Sequence, residues 1–353
     1  MNHTKRNNNR LWLSFIVLII ILTAAYFYPL PYFISSPGAA VELSPIIEVE
    51  NGYSEQGTFM LTTVRMSGAN VFNYALAQWD EYRETIPKEA LLRDYKDESE
   101  YTERQLFIMK SSQETAISVA YELAGREVIV SDRGVMVVAT VEGMPAEQHL
   151  KFGDIITSVD DRDIATSEEL IAYVRTKQEG DEVRIKYRTN MEEKEITLAL
   201  SAFPHEDIEG ASEEQPRAGI GISTMTKQEI EVNPPVSIDT RRIGGPSAGL
   251  MFTLEIYNQL TPEDITKGYA IAGTGTMNPE GKVGRIGGIH QKIVAAHKAG
   301  ADIFFAPYEE GAEDSNYNRA VEAAEDIKTS MKVVPVDTVQ DALDYLESLP
   351  SKD

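Results

Sequence analysis

The sequence predicts a mixed α+β protein with more than one folded unit behind an apolar N-terminal helix. Three observations carry that reading. An uncharged apolar run extends from Leu11 to Tyr28. Segments of helical and of strand periodicity alternate through the remainder of the chain. A compact series of short strands with a single helix is closed by the acidic, Pro- and Gly-containing stretch Pro204 to Arg217. At 353 residues the chain exceeds one typical domain. Its 42% hydrophobic and 25% charged residues argue against wholesale disorder.

The apolar run is long enough to span a bilayer, and Lys5, Arg6 and Arg10 precede it. Residues 1–10 are therefore expected as a cytoplasmic tail and 11–28 as a single-pass anchor in the cell membrane, leaving the C-terminal domains extracellular. Small residues at Ala24, Ala25, Ala39 and Ala40 would suit a signal peptidase, but the length of the run and the aromatic Tyr26, Phe27 and Tyr28 favour a retained anchor. Residues 29–48, rich in Pro and Gly, read as an extended spacer, with folding beginning near Val49.

Gly57 to Met66 is rich in β-branched residues and predicts a strand, followed by a short helix from Val71 to Trp79. From Ser99 to Ala124, Leu106, Met109, Ala116, Val119, Ala120 and Leu123 approximate a 3.6-residue stripe, with Gly125 placed to end the helix. The β-rich module follows, including the strands VRIKYRT and KEITLAL split by a turn around Asn190. The net charge of -23 argues against a nucleic-acid partner. The absence of cysteine excludes disulfides and thiol chemistry.

Ile243-Gly244-Gly245-Pro246-Ser247-Ala248-Gly249-Leu250 precedes the apolar segment MFTLEIYNQL. Pro246 suits the first position of a helix, which would put Ser247 in the first turn, where free N–H groups and the helix dipole favour an oxyanion. Alone, such a turn more often has a structural or anion-binding role. A second segment, Gly287-Gly288-Ile289-His290-Gln291-Lys292, opens another helix on which Ile289, Lys292, Ile293, Ala296 and Ala299 share a face. A lysine there either snorkels to the surface or is buried with a lowered pKa suited to a general base.

Taken together, these segments resemble the proteolytic domain of the Lon family, in the GPSAG turn, in the lysine helix after a glycine pair, and in the separation 292 − 247 = 45 residues. The resemblance implies a serine endopeptidase in which Ser247 is the nucleophile and Lys292 the base. It also implies a supporting hydrogen bond from Thr274, in Ala272-Gly273-Thr274-Gly275, and oxyanion stabilisation at Ala248. It extends to GTFMLTTV, to Met109 through Ala116, and to AGADIFFAPYEE. The module from 125 to 203 resembles a bacterial PDZ domain in Gly134, Pro145-Ala146 and Gly153-Asp154-Ile155-Ile156. PDZ domains take up an extended peptide as an added strand, which implies recruitment or gating. Its groove is expected near Arg126 to Gly134.

The implied order is a Lon-like domain over 49–124 and 217–349, interrupted by the PDZ module at 125–203 and an acidic linker at 204–216. Anchor, PDZ and Lon-like segments together resemble the PDZ-containing Lon-like peptidases of Gram-positive bacteria, a family that includes pheromone-processing enzymes. That resemblance implies peptide or unfolded-protein substrates and permits a homo-oligomer. Two departures stand out: there is no GxxxxGK[ST] motif for ATP, and Gly244 occupies the position three before the serine where Lon commonly has an acid. No metal is expected, because His3, His149, His205, His290 and His297 form no HExxH pattern. No cofactor is expected either, since the third glycine of a dinucleotide fingerprint would fall at Asn278. The alternatives are a tail-specific Ser-Lys protease and a catalytically inactive PDZ adaptor.

Overall fold

The computed structural model describes residues 3–93, 95–189, 192–203, 218–241 and 243–352, with side chains from residue 12 onward. The chain divides into two compact units: Met1–Glu127 with Asn233–Asp353, and Val128–Val232 between them. The expected acidic linker at 204–216 and the turn around Asn190 lie outside the described residues.

The first unit is built on one mixed sheet, in the order Lys332–Val336, Ile303–Pro307, Ala270–Gly273, Thr58–Asn70, Pro29–Glu42 and Glu84–Pro87. The first four strands run parallel and the last two join antiparallel. Alternation along each strand sends side chains to opposite faces. Met60, Ala272 and Phe304 pack with Ile289, Ile293 and Ala296 of helix Ile289–Lys298. On the other side, a Cβ on Gly273 would lie 2.5 Å from Met251 Sδ of helix Gly249–Leu260. Ten of the twelve residues of that second helix are buried, which explains why its sequence is apolar nearly all round.

Helix Glu98–Leu123 packs beside it, burying Met109, Ser112, Ala116, Val119 and Ala120. Asp97 caps its start by accepting from Ser99 N and Glu100 N, and Gly125, at φ +67°, follows its end. Helix Val71–Ala77 stops two residues short of the expected Trp79.

The spacer expected at 29–48 is corrected. Pro29–Glu42 is a strand of the main sheet, with Phe33, Ile34 and Ser35 buried, and Ile47–Val49 pairs with Val236–Ile238. Its prolines are tolerated because they fall where the register shifts, between Pro29 and Phe33 and between Pro37 and Ala40, so the chain stays extended without needing every ladder bond.

Ahead of the sheet, helix His3–Phe27 carries the apolar run, and its large apolar side chains from Trp12 to Phe27 are exposed. Among the described residues no helix is long and apolar enough to cross a membrane, and a transmembrane helix over 11–28 is therefore unsupported.

The second unit is an antiparallel sheet in the order Ile222–Val232, Val128–Thr140, Ile155–Val159, Glu182–Thr189 and Glu192–Ala199. Helix Ser167–Val174 starts with a capping box between Thr166 and Glu169. Val135, Val137, Ile156, Val159, Leu170 and Ile185 lie in its core. Ile222–Val232, which lies inside the Lon-like segment expected over 217–349, pairs along almost the whole of Val128–Thr140 and belongs to this sheet.

Tyr121 is fully buried in the first unit, and its hydroxyl donates to the Pro234 carbonyl at 2.5 Å. Replacing it with Phe leaves that carbonyl without its donor. Urea denaturation of Tyr121→Phe is expected to show a loss of about 1 kcal/mol; an unchanged midpoint would mean the bond contributes nothing net.

Candidate active site

Strand Ala270–Gly273 ends at the centre of the sheet, and Thr274 follows it, fully buried. The two helices on opposite faces present their N-terminal ends at the same strand end. Lys292 lies in the first turn of Ile289–Lys298, where its N–H donates to Gly288 O at 3.1 Å, and Gly288 begins that helix from a left-handed conformation at φ +70°. A side chain on Gly288 would meet both that conformation and Val64, which accounts for glycine there.

Ser247 is not in the first helical turn. The helix begins at Gly249 after Ala248, and its Phe252 N–H donates to Ala248 O at 2.9 Å. The Ser247 carbonyl is drawn away from the helix, accepting from Gly275 N at 2.9 Å and from Thr274 Oγ1 at 2.9 Å. The turn before it is held from the neighbouring helix Glu98–Leu123: Gly245 N donates to Gln105 O at 2.9 Å, and Ser112 Oγ donates to Pro246 O at 3.1 Å. Gly245, at φ +91°, allows the chain to turn there.

These constraints bring Ser247, Lys292 and Thr274 together. Lys292 Nζ lies 2.8 Å from Ser247 Oγ, 2.9 Å from the Thr62 carbonyl oxygen and 3.0 Å from Thr274 Oγ1. Lys292 is 2% exposed, and burial pushes its amine down from 10.5 to about 7. The Thr62 carbonyl can only accept. The Thr274 hydroxyl proton is committed to Ser247 O, so Thr274 Oγ1 also accepts from the amine. A neutral lysine therefore spends its two N–H bonds on these oxygens and turns its lone pair toward the Ser247 hydroxyl.

Ser247 is half-buried and opens on a cleft of about 1360 Å³ whose lining includes Val41, Leu61, Met109, Ile243 and Ala248. The N–H of Ala248 donates to no acceptor among the described residues, which leaves it for a ligand oxygen. His297 is exposed and bonds Thr329, while Ala299, expected on the buried face with Lys292, is exposed. Among the described residues no group of acidic or His side chains could hold a metal ion.

Sequence reasoning missed Thr62, Gln105 and Ser112. Thr62 and Gln105 act through backbone carbonyls, which leave no trace in residue type. Ser112 carried a weak signal, as a small polar residue on the otherwise apolar stripe with Met109 and Ala116.

In the second unit the groove is expected at Arg126–Gly134. From Val128 on, that segment is paired with Gln228–Val232 along one side, whereas Ile222–Val232 is an edge strand of the sheet. Ser167 N donates to Thr226 Oγ1 at 3.0 Å, so helix Ser167–Val174 stands beside that edge.

Comparison with known proteins finds two matched segments, whose boundaries differ from those of the two compact units. Residues 123–200 match the PDZ domain model, and residues 211–348 match the model of the Lon protease (S16) C-terminal proteolytic domain. The second match begins at residue 211, ahead of Asn233, where the first unit resumes. Lon protease of Mesomycoplasma hyopneumoniae is 33% identical over 102 residues, 29% of this chain and 11% of that protein. Lon protease of Campylobacter concisus is 38% identical over 100 residues, 28% of this chain and 11% of that protein. The chain thus spans about a tenth of the length of these relatives. The PDZ domain of an SdrC-like protein from Listeria innocua is 33% identical, covering 26% of this chain and 92% of that one, with a TM-score of 0.22. One segment of the chain is thus similar to a PDZ domain and another to the Lon-type proteolytic domain.

Two outcomes follow for a peptide substrate. kcat/KM should rise with pH through about 7 as Lys292 loses its proton, and Lys292→Arg, which cannot deprotonate, should be inactive. Thr274→Ala should lose about 10- to 100-fold in kcat/KM by freeing the amine to rotate, with Thr274→Ser retaining most of it. A flat pH profile would count against Lys292 as base, and an unaffected Thr274→Ala against the positioning role.

Proposed function

We propose that the chain is an ATP-independent serine endopeptidase tethered at the cell membrane, cleaving exported peptides or unfolded extracellular segments. The observation that carries the peptidase reading is the contact of 2.8 Å between Ser247 Oγ and a lysine amine that burial holds near neutrality. Ser247 Oγ attacks the scissile carbonyl carbon, its proton passing to Lys292 Nζ, while the Ala248 N–H faces the developing oxyanion. The same proton then passes to the leaving amine as the C–N bond breaks. Water attacks the acyl-enzyme, returns a proton through Lys292, and restores the Ser247 hydroxyl.

Independence from ATP follows from the lack of a nucleotide motif in the sequence. Without unfolding power, substrates are restricted to segments already extended. A peptide added at the edge strand Ile222–Val232, beside helix Ser167–Val174, would be the PDZ contribution, either recruiting or gating. Tethering is supported by the exposed apolar side chains from Trp12 to Phe27 and by the cationic residues ahead of them in the sequence. The pheromone-processing type of peptidase fits such a membrane-proximal enzyme.

The deciding experiment compares cleavage of an unstructured peptide library, without ATP, by wild type, Ser247→Ala and Lys292→Ala. Loss in both variants with folding intact establishes the dyad. Retained activity in both would place the chemistry elsewhere, and no cleavage by wild type would favour a peptide-holding adaptor. For the tether, the full chain should co-sediment with lipid vesicles and a chain lacking residues 1–28 should not. Equal sedimentation of the two would overturn it.

A further inference from the structure

The helix Gly249–Leu260 carries a carboxylate that the dyad chemistry does not use. Glu255 is fully buried, on the helix that follows the Ser247 turn. Its Oε1 accepts from Gln259 Nε2 at 2.5 Å, and its Oε2 has no partner that an ionised carboxylate could accept from. The group against it is a second carboxyl, Glu55, whose Oε2 accepts from Asn258 Nδ2 at 3.2 Å. Asp264 adds a third negative charge from the turn beyond the helix, where its Oδ2 accepts from Gln56 N at 2.8 Å. No lysine or arginine is among the groups acting on either glutamate. Two ionised carboxylates in contact, buried and without a cation, would be strongly unfavourable.

We propose that Glu55 and Glu255 share a single proton, and that this proton fastens the segment around Glu55 to the helix behind the nucleophile turn, making the pair a positioning device that fails on the alkaline side. The wiring gives it a route to the site. Gln259, which bonds Glu255, also donates to Ile47 O at 2.9 Å and accepts from Val49 N at 2.8 Å. Strand Ile47–Val49 pairs with Val236–Ile238, and the chain runs on from there through Asp239, whose N–H donates to Ile46 O at 2.9 Å, to Ser247.

Burial, then the charge of Glu255, raises the Glu55 carboxyl to about 8, and burial likewise raises Glu255 above the ordinary carboxylate range. Both carboxyls are held above the ordinary range, and the shared proton belongs to the pair rather than to either residue. The groups facing the pair are Asp264, Asn258 and Gln259. Glu48, on the adjoining strand, is exposed. Because the folded chain holds a proton that the unfolded chain releases near 4.5, this stabilisation is complete below that value and is lost as pH rises toward about 8.

The test uses the full chain with Glu55→Gln and Glu255→Gln. A glutamine amide supplies the N–H that the shared proton would supply, so Glu55→Gln keeps the link at every pH. Infrared difference spectra between about pH 6 and about pH 9 should show the carbonyl band of one protonated carboxylic acid disappearing in wild type and absent from both variants. Over that range the thermal midpoint of wild type should fall relative to that of Glu55→Gln by on the order of 5 °C, the loss of the Lys292 proton acting on both alike. Peptidase activity, on the reading above, should fall at alkaline pH in wild type alone. No protonated-acid band in wild type, or the same midpoint profile against pH in wild type and Glu55→Gln, overturns the proposal. Should Glu255→Gln not fold, the wild-type spectrum and Glu55→Gln still decide it. Infrared and thermal results do not depend on activity, so an inactive wild type would sink the peptidase reading and leave this one standing or falling by itself.

Discussion

The arrangement depends on holding a lysine amine out of water with oxygen partners and no counter-ion. Moving the Lys292 amine from 10.5 to about 7 corresponds to about 5 kcal/mol against its charged form. That cost is borne by the packing of the first unit. The amine reaches the strand end only because the helix bearing it seats Ile289, Ile293 and Ala296 against Met60, Ala272 and Phe304. A carboxylate beside the amine would restore its charge. The position three before Ser247 is Gly244, a residue that cannot supply one, and a Cβ there would already lie 2.9 Å from Gln105 Cβ.

The serine is positioned by a different means. Ser247 is kept at the mouth of its helix because its carbonyl bonds Thr274 and Gly275 in place of the next helical N–H. Thr274 is thereby engaged with both members of the dyad, donating to the backbone of one and accepting from the side chain of the other. Helix Glu98–Leu123 clamps the preceding turn through Gln105 and Ser112. Five chain segments, distant in sequence, thus converge on one amine and one hydroxyl.

The two carboxyls behind the nucleophile helix obey the same electrostatic rule with opposite sign. Burial without a counter-ion drives lysine to lose a proton and glutamate to keep one. Both groups sit in the first unit, and each is neutralised by its surroundings rather than by an ion pair. The second unit is organised on simpler terms, as an antiparallel sheet whose edge strand arrives from the far side of residues 204–217.

The sequence by itself determined the composition of the site and much of the local structure. GGPSAG before an apolar run, a lysine on an apolar helix face, and the stripe over Glu98–Leu123 are local patterns with local causes. It could not assign Pro29–Glu42 or Ile222–Val232 to their sheets, because strand pairing is a non-local choice and Pro and Gly in the first segment argue for a loop. Nor could it place Ser247 ahead of the helix, since the competing hydrogen bonds come from Thr274 and Gly275, almost thirty residues away. Only the tertiary structure decided that Lys292 is buried rather than snorkelled, and that Glu55 meets Glu255. Burial and the identity of a neighbour are properties of packing, and the charge state of an ionisable group follows from them.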